Sequence, residues 1–231
     1  MTHHARIGPN AVLQLAASFD AQAPELKRTI FTHAHVGHWL DTPPHDMVDE
    51  MAVARLHQTV RAELPEAEAQ KILTEAGART AAYIFENRIP RLLRILLPLM
   101  PTAFSARLLL KAITRHAWTF AGSGDFSGRA RAGIVVELRD NPLCRGEYQA
   151  HPVCYWHAAV FTGLFARLVH PHTRTLEVSC CAAGDDACRF VIDWPHGQTW
   201  IQIKARLRPK LSFLSHDPSG KIVSKDQSLA P

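Results

Sequence analysis

The order of segments predicts an α+β protein in which a helical N-terminal part packs on an antiparallel sheet. Three observations predict it. Apolar residues recur at helical spacing through the first 120 residues, compact β-branched runs follow, and one long amphipathic segment interrupts those runs. The N-terminal helical part spans residues 1–122, a strand, helix, strand, strand unit spans 123–200, and 205–231 reads as a poorly ordered tail of low apolar content. The first two parts are expected to form one compact domain.

Pro9 and Asn10 open a helix through Phe19, and Pro24 opens another that runs to Leu40. Asp41-Thr42-Pro43-Pro44 ends it, because the residue before a proline avoids the helical region. Met47 to Glu63 and Pro65 to Asn87 are the next helices, and Pro90 and Pro101 start two more that end near Trp118. Gly122-Ser123-Gly124-Asp125 reads as a flexible break. Ile134 to Leu138, Thr175 to Ser179 and Cys188 to Ile192 are the strands, and Pro152 to Val169 is the helix between the first two.

The chain has 231 residues, is 47% hydrophobic and 20% charged, and carries a net charge of +5. These values describe an ordinary globular protein with a real core. The longest apolar stretch, Leu92 to Met100, is interrupted by Arg94 and Pro98 and is too short for a transmembrane segment. The N-terminus lacks the apolar core of a signal peptide, so the expected location is the cytosol, free or peripheral at a membrane. Much of the basic character lies between Arg88 and Arg115, compatible with anionic lipid or a carboxylate-bearing ligand, or with simple solubility. No zinc-finger or recognition-helix motif favours nucleic acid as a partner.

All five cysteines fall after residue 143, in the arrangement C-x9-C-x25-C-C-x6-C. Cys144 lies in a loop after a strand, Cys154 at a helix start, and Cys180 and Cys188 flank a Gly184-Asp185-Asp186 hairpin turn. Cys144, Cys154, Cys180 and Cys188 are candidate ligands of a tetrahedral structural zinc, with buried free thiols as the alternative. Cys181, adjacent to Cys180 on a strand, should face the other way. His151 and His157 are substitutes for one ligand. His35 and His38 would share a helix face, but nothing near them completes an H-E-x-x-H pattern.

The segment E-x-x-C-x-x-x-G-D-x-x-C-x-F, from Glu177 to Phe190, resembles the signature of the 4-vinyl reductase domain, and Pro152-Val153-Cys154 matches its lead-in. The resemblance implies a ligand-binding domain of that type, generally a homodimer. In the sensor branch of such domains a glutamate and three cysteines hold the metal; here Cys144 stands at the comparable loop position, which would give four sulfurs. Asp41-Thr42-Pro43-Pro44, Asn87-Arg88-Ile89-Pro90, His116 to Gly124 and Trp156 to Phe161 extend the likeness to the bacteriochlorophyll 4-vinyl reductase family of purple phototrophic bacteria. That family implies work on a Mg-porphyrin or chlorophyllide intermediate, alongside bacteriochlorophyll biosynthetic enzymes.

Reduction of a vinyl group needs an electron source, yet no G-x-G-x-x-G follows a strand and the cysteine spacing fits no ferredoxin run. Carriage of a tetrapyrrole needs less: an apolar cleft and cations for its carboxylates. Arg88, Arg91 and Arg94 border the leucines of 92–97 and are candidates for the carboxylates, or form a solvated helix edge. His116 offers an axial donor and Trp118 and Phe120 offer stacking surfaces, unless all three simply pack. The expected function is therefore binding and delivery of a tetrapyrrole intermediate, with a genuine reductase and a ligand-sensing regulatory module as alternatives.

Overall fold

The computed structural model describes residues 5–130 and 133–195. Residues 1–194 cluster as one compact unit and 195–231 as another. The tail read at 205–231 lies outside the described residues. Nine α-helices and two sheets are present among the described residues.

Strand β1 (Arg6–Ile7) leads into α1 (Asn10–Gln22), which buries Val12, Leu15 and Phe19. Helix α2 (Pro24–His33) starts on a proline whose missing N–H has no partner to lose in a first turn. It does not reach Leu40. His35 sits at φ 59°, in the left-handed region, and the chain restarts as α3 (His38–Asp41). His35 and His38 therefore share no helix face. His33 instead pairs with Glu63 at 2.8 Å.

The helix expected from Met47 begins later. Strand β2 (Val48–Asp49) pairs antiparallel with β1, and the Asp49 carboxylate then accepts from the Met51 backbone N–H at 2.8 Å to cap α4 (Glu50–Glu63). A two-strand clip has displaced the first turn. Helix α5 (Glu66–Asn87) is the longest and faces α1 on one side. Pro90 and Pro101 precede α6 (Arg91–Leu99) and α7 (Thr102–Arg115). Trp118 opens the separate short helix α8 (Trp118–Ala121), because the chain turns at His116 and Ala117.

The second half holds four strands, not three. Strand β3 (Asp125–Ala130) starts at the residue where the sequence suggested only a flexible break, and it pairs along its whole length with β4 (Ile134–Arg139). Helix α9 (Tyr155–Leu168) follows, then β5 (Arg174–Ser179) and β6 (Cys188–Asp193). The order β3-β4-β6-β5 is antiparallel throughout, so β4 and β5 run parallel with β6 inserted between them and α9 as their crossover. Ile134, Val136 and Leu138 alternate inward on β4 beside Phe190 and Ile192 of β6.

Helix α9 packs on the sheet and on α5, and their close approach depends on Gly77. A Cβ there would lie 2.4 Å from the Trp156 carbonyl oxygen. The sheet, α9, α5 and α1 thus stack in layers around one apolar core.

Candidate metal centre and ligand surface

The four cysteines lie on three separate pieces of backbone. After β4, Asp140 takes φ 46° and the Asn141 side chain accepts from the Leu143 N–H at 3.1 Å, starting a 3-10 turn over Pro142–Cys144. That turn places Cys144. Cys154 precedes the first turn of α9, its N–H donating to Glu177 Oε2 at 2.7 Å. Cys180 ends β5, where its N–H donates to the Asp185 carboxylate at 2.8 Å, and Gly184 at φ 86° reverses the chain towards Cys188 on β6.

The four Sγ atoms lie within 4.8 Å of one another, and all four residues are buried. The Sγ–Sγ separations are 3.6 Å for Cys144 to Cys188 and Cys154 to Cys188, 3.7 Å for Cys154 to Cys180, 3.9 Å for Cys180 to Cys188 and 4.0 Å for Cys144 to Cys154. Sulfurs about 2.3 Å from one tetrahedral ion would sit about 3.8 Å apart. The cluster has the dimensions of a four-sulfur metal site, and none of its pairs is a disulfide.

The surroundings favour thiolates. Asn141 Nδ2 donates to Cys154 Sγ at 3.3 Å and to Cys188 Sγ at 3.4 Å, and the Cys181 N–H donates to Cys188 Sγ at 3.4 Å. Hydrogen bonds from Cys144, Cys154 and Cys188 hold the Cys180 thiol well below its ordinary range, while the bond to Cys154 pushes Cys144 up. Without a cation the four thiols share their protons unevenly; a divalent ion allows all four to ionise. Cys181 is half-buried and outside the four-sulfur group.

Helix α4 braces the cysteine loop. Burial acts against the Arg61 charge, but Glu147 at 2.8 Å raises its pKa above the ordinary value. The same guanidinium donates to the Leu143 carbonyl at 2.7 Å, one residue before Cys144. Glu50, almost fully buried, accepts from the Ser123 N–H at 2.7 Å and from Arg145 at 3.3 Å. Sequence spacing does not reveal these braces. Their partners lie 73 to 95 residues away.

The histidines considered as substitute ligands go elsewhere. His151 pairs with Glu66 at 2.9 Å. His157 is buried among Trp156, Phe120 and Phe190. Burial lowers its pKa to about 3, and does the same to His57, whose Nε2 meets the Ala11 carbonyl at 3.0 Å. Trp156 Nε1 and His157 Nε2 are buried with no hydrogen-bond partner.

The six residues considered for a ring ligand occupy two places. Arg88 is exposed at the end of α5, 5.9 Å over Tyr83; Arg94 lies 5.5 Å over Phe85; Arg91 is exposed. His116 and Trp118 are exposed at the corner after α7, while Phe120 turns inward to Phe126 and Phe161. Among the described residues no hydrogen bond or ring contact joins the arginines to that corner. A groove of about 490 Å³ between α7 and β3 adds cations that spacing from Arg88 missed: Arg107, Lys111 and Arg115, with Leu110 and Gly128 in its wall. Their spacing of four residues, one face of a helix, was the available signal.

Residues 134–193 match the family model of the 4-vinyl reductase domain. The chain is 44% identical over 186 residues to the "Bacteriochlorophyll synthase 23 kDa chain" of Cereibacter sphaeroides, covering 80% of this chain and 89% of that one. It is 37% identical over 187 residues to the protein of the same name from Rhodobacter capsulatus, covering 81% and 86%. Among solved structures, the phenol-responsive sensory domain of the transcription activator PoxR is similar at 14% identity and a TM-score of 0.47, covering 69% of this chain and 81% of that one. By its likeness along most of both chains to the first two, the chain belongs to the family of bacteriochlorophyll synthase 23 kDa chains.

Proposed function

We propose that this protein serves bacteriochlorophyll biosynthesis by binding a tetrapyrrole intermediate, of Mg-porphyrin or protochlorophyllide type, and delivering it to a biosynthetic enzyme. The kinship with two proteins named as bacteriochlorophyll synthase chains carries the reading. The physical support is the surface from α6 to α8, where exposed apolar groups adjoin cations, as a flat macrocycle with carboxylates requires. In this reading the ring lies at the corner of His116 and Trp118 with Phe120 beneath, and its carboxylates meet Arg88, Arg91 and Arg94 or the groove cations Arg107, Lys111 and Arg115.

In the same reading Cys144, Cys154, Cys180 and Cys188 hold one structural zinc, and the protein works as a homodimer. Zinc would supply a closed crosslink between the 140–149 loop, α9 and the β5–β6 turn, with no position open for chemistry. Asn141 and the Cys181 N–H offset its four thiolate charges.

Size-exclusion chromatography of the pure protein with a Mg-porphyrin dicarboxylate and NADPH tests the carrier reading. Pigment is expected to co-elute unaltered. Conversion of a vinyl to an ethyl group by pure protein would replace it with the reductase reading.

A further inference from the structure

From Asn87 to Gly124 the chain contains six lysines and arginines and no aspartate or glutamate. The same segment holds eight of the twelve large apolar side chains that stand exposed among the described residues. These two facts coincide in one place, helices α6 and α7. Leu92, Ile95 and Leu99 are 65%, 63% and 78% exposed, and with Leu96 they form one stripe at intervals of three and four residues. Only Leu97 of α6 is buried. Phe104, 55% exposed, continues the apolar surface on the first turns of α7, and Arg91 and Arg94 flank it.

We propose that this face docks on a bilayer containing anionic lipid, with α6 lying in the plane of the interface. A short helix with apolar residues on one side and arginines beside them immerses the first among acyl chains and brings the second to phosphate oxygens. No described helix is long and apolar enough to cross a membrane, so the attachment is peripheral. The charge chooses the occupant. A second copy placed symmetrically on this face would oppose cations to cations, whereas an anionic surface is complementary to all six. The inference rests on the face itself and stands whether or not a pigment binds.

Co-sedimentation of the full chain with pigment-free vesicles tests it, comparing pure phosphatidylcholine with phosphatidylcholine containing phosphatidylglycerol. Binding to the anionic vesicles is expected to be at least about tenfold tighter and to weaken as salt rises. The triple substitution Leu92→Ser, Ile95→Ser, Leu99→Ser changes exposed side chains, so its thermal melt should match the parent while its vesicle binding falls about tenfold or more. Equal binding to both vesicles, no binding to either, or unchanged binding by the triple variant overturns the proposal. So does a dimer in solution that the triple variant converts to monomer without loss of vesicle binding.

Discussion

Two regions of the molecule treat charge in opposite ways. Around the cysteines the buried charges have partners: Arg61 meets Glu147, Glu50 meets Ser123 and Arg145, and Arg189 meets Glu137 at 2.6 Å. From α6 to α8 no acidic group occurs and the cations point outward beside exposed leucines. Paired and buried charge fixes a loop in one geometry. Unpaired charge on a surface waits for something anionic from outside. Substitutions in the first region should therefore show up as stability and those in the second as binding.

The largest effect is expected at the cysteines. Removing metal with a chelator, or replacing a ligand in Cys188→Ser, should lower the melting temperature by tens of degrees, because structural zinc is worth about 10 kcal/mol or more to small domains. Cys181→Ser should cost no more than about 1 kcal/mol. Thermal denaturation beside elemental analysis checks both, and equal losses in the two variants would break the distinction between the ligands and their neighbour.

Next comes Arg61→Met. It leaves the Glu147 carboxylate, 10% exposed, without its partner and frees the Leu143 carbonyl, so a loss of about 3 to 5 kcal/mol is expected in chemical denaturation. A loss below about 1 kcal/mol would mean that α4 does not brace the cysteine loop.

The cysteine cluster was legible because thiols absent from 143 residues and then crowded into 45 have few structural explanations. The four strands and their braces were not equally legible. Strand β3 places Gly128 and Ala130 against α7, and a Cβ on Gly128 would come within 2.5 Å of Leu110, so the strand's inward positions are small and give no apolar alternation. Asn141 and Arg61 act through partners that only folding brings near. The break after α2 was hidden for a different reason: His35 adopts a backbone angle that its neighbours' helical pattern gives no cause to expect.

Acid should weaken the interior gradually. His57 and His157 stay neutral in the fold with pKa values of about 3, against 6.5 when free. Below about pH 6.5 the unfolded chain gains protons that the folded chain does not, so stability is complete above that pH and falls towards pH 3, by about 1.4 kcal/mol per pH unit for each ring. His57→Gln should reduce the slope of stability against pH by about one proton. An unchanged slope would show that His57 is charged in the fold or reaches water.

Gly77→Ala should cost about 1 to 3 kcal/mol, since its Cβ would meet the Trp156 carbonyl and Ala159. The smallest effects on stability belong to the cationic face. Replacing Arg88, Arg91 and Arg94 by glutamine, or Arg107, Lys111 and Arg115, should shift stability by no more than about 0.5 kcal/mol each. The triple that holds the carboxylates should weaken pigment binding about tenfold or more. Equal losses from both triples would reduce the site to general positive charge.

The most direct measurement is an absorbance titration of the pure protein with a Mg-porphyrin dicarboxylate, run alongside the same pigment with both carboxylates esterified. The account predicts saturation at one pigment per chain, shifted absorption bands, weaker binding of the ester, and bands that change again in His116→Ala. A titration with no saturation, or with ester and acid bound alike and the His116→Ala spectrum unchanged, would contradict it.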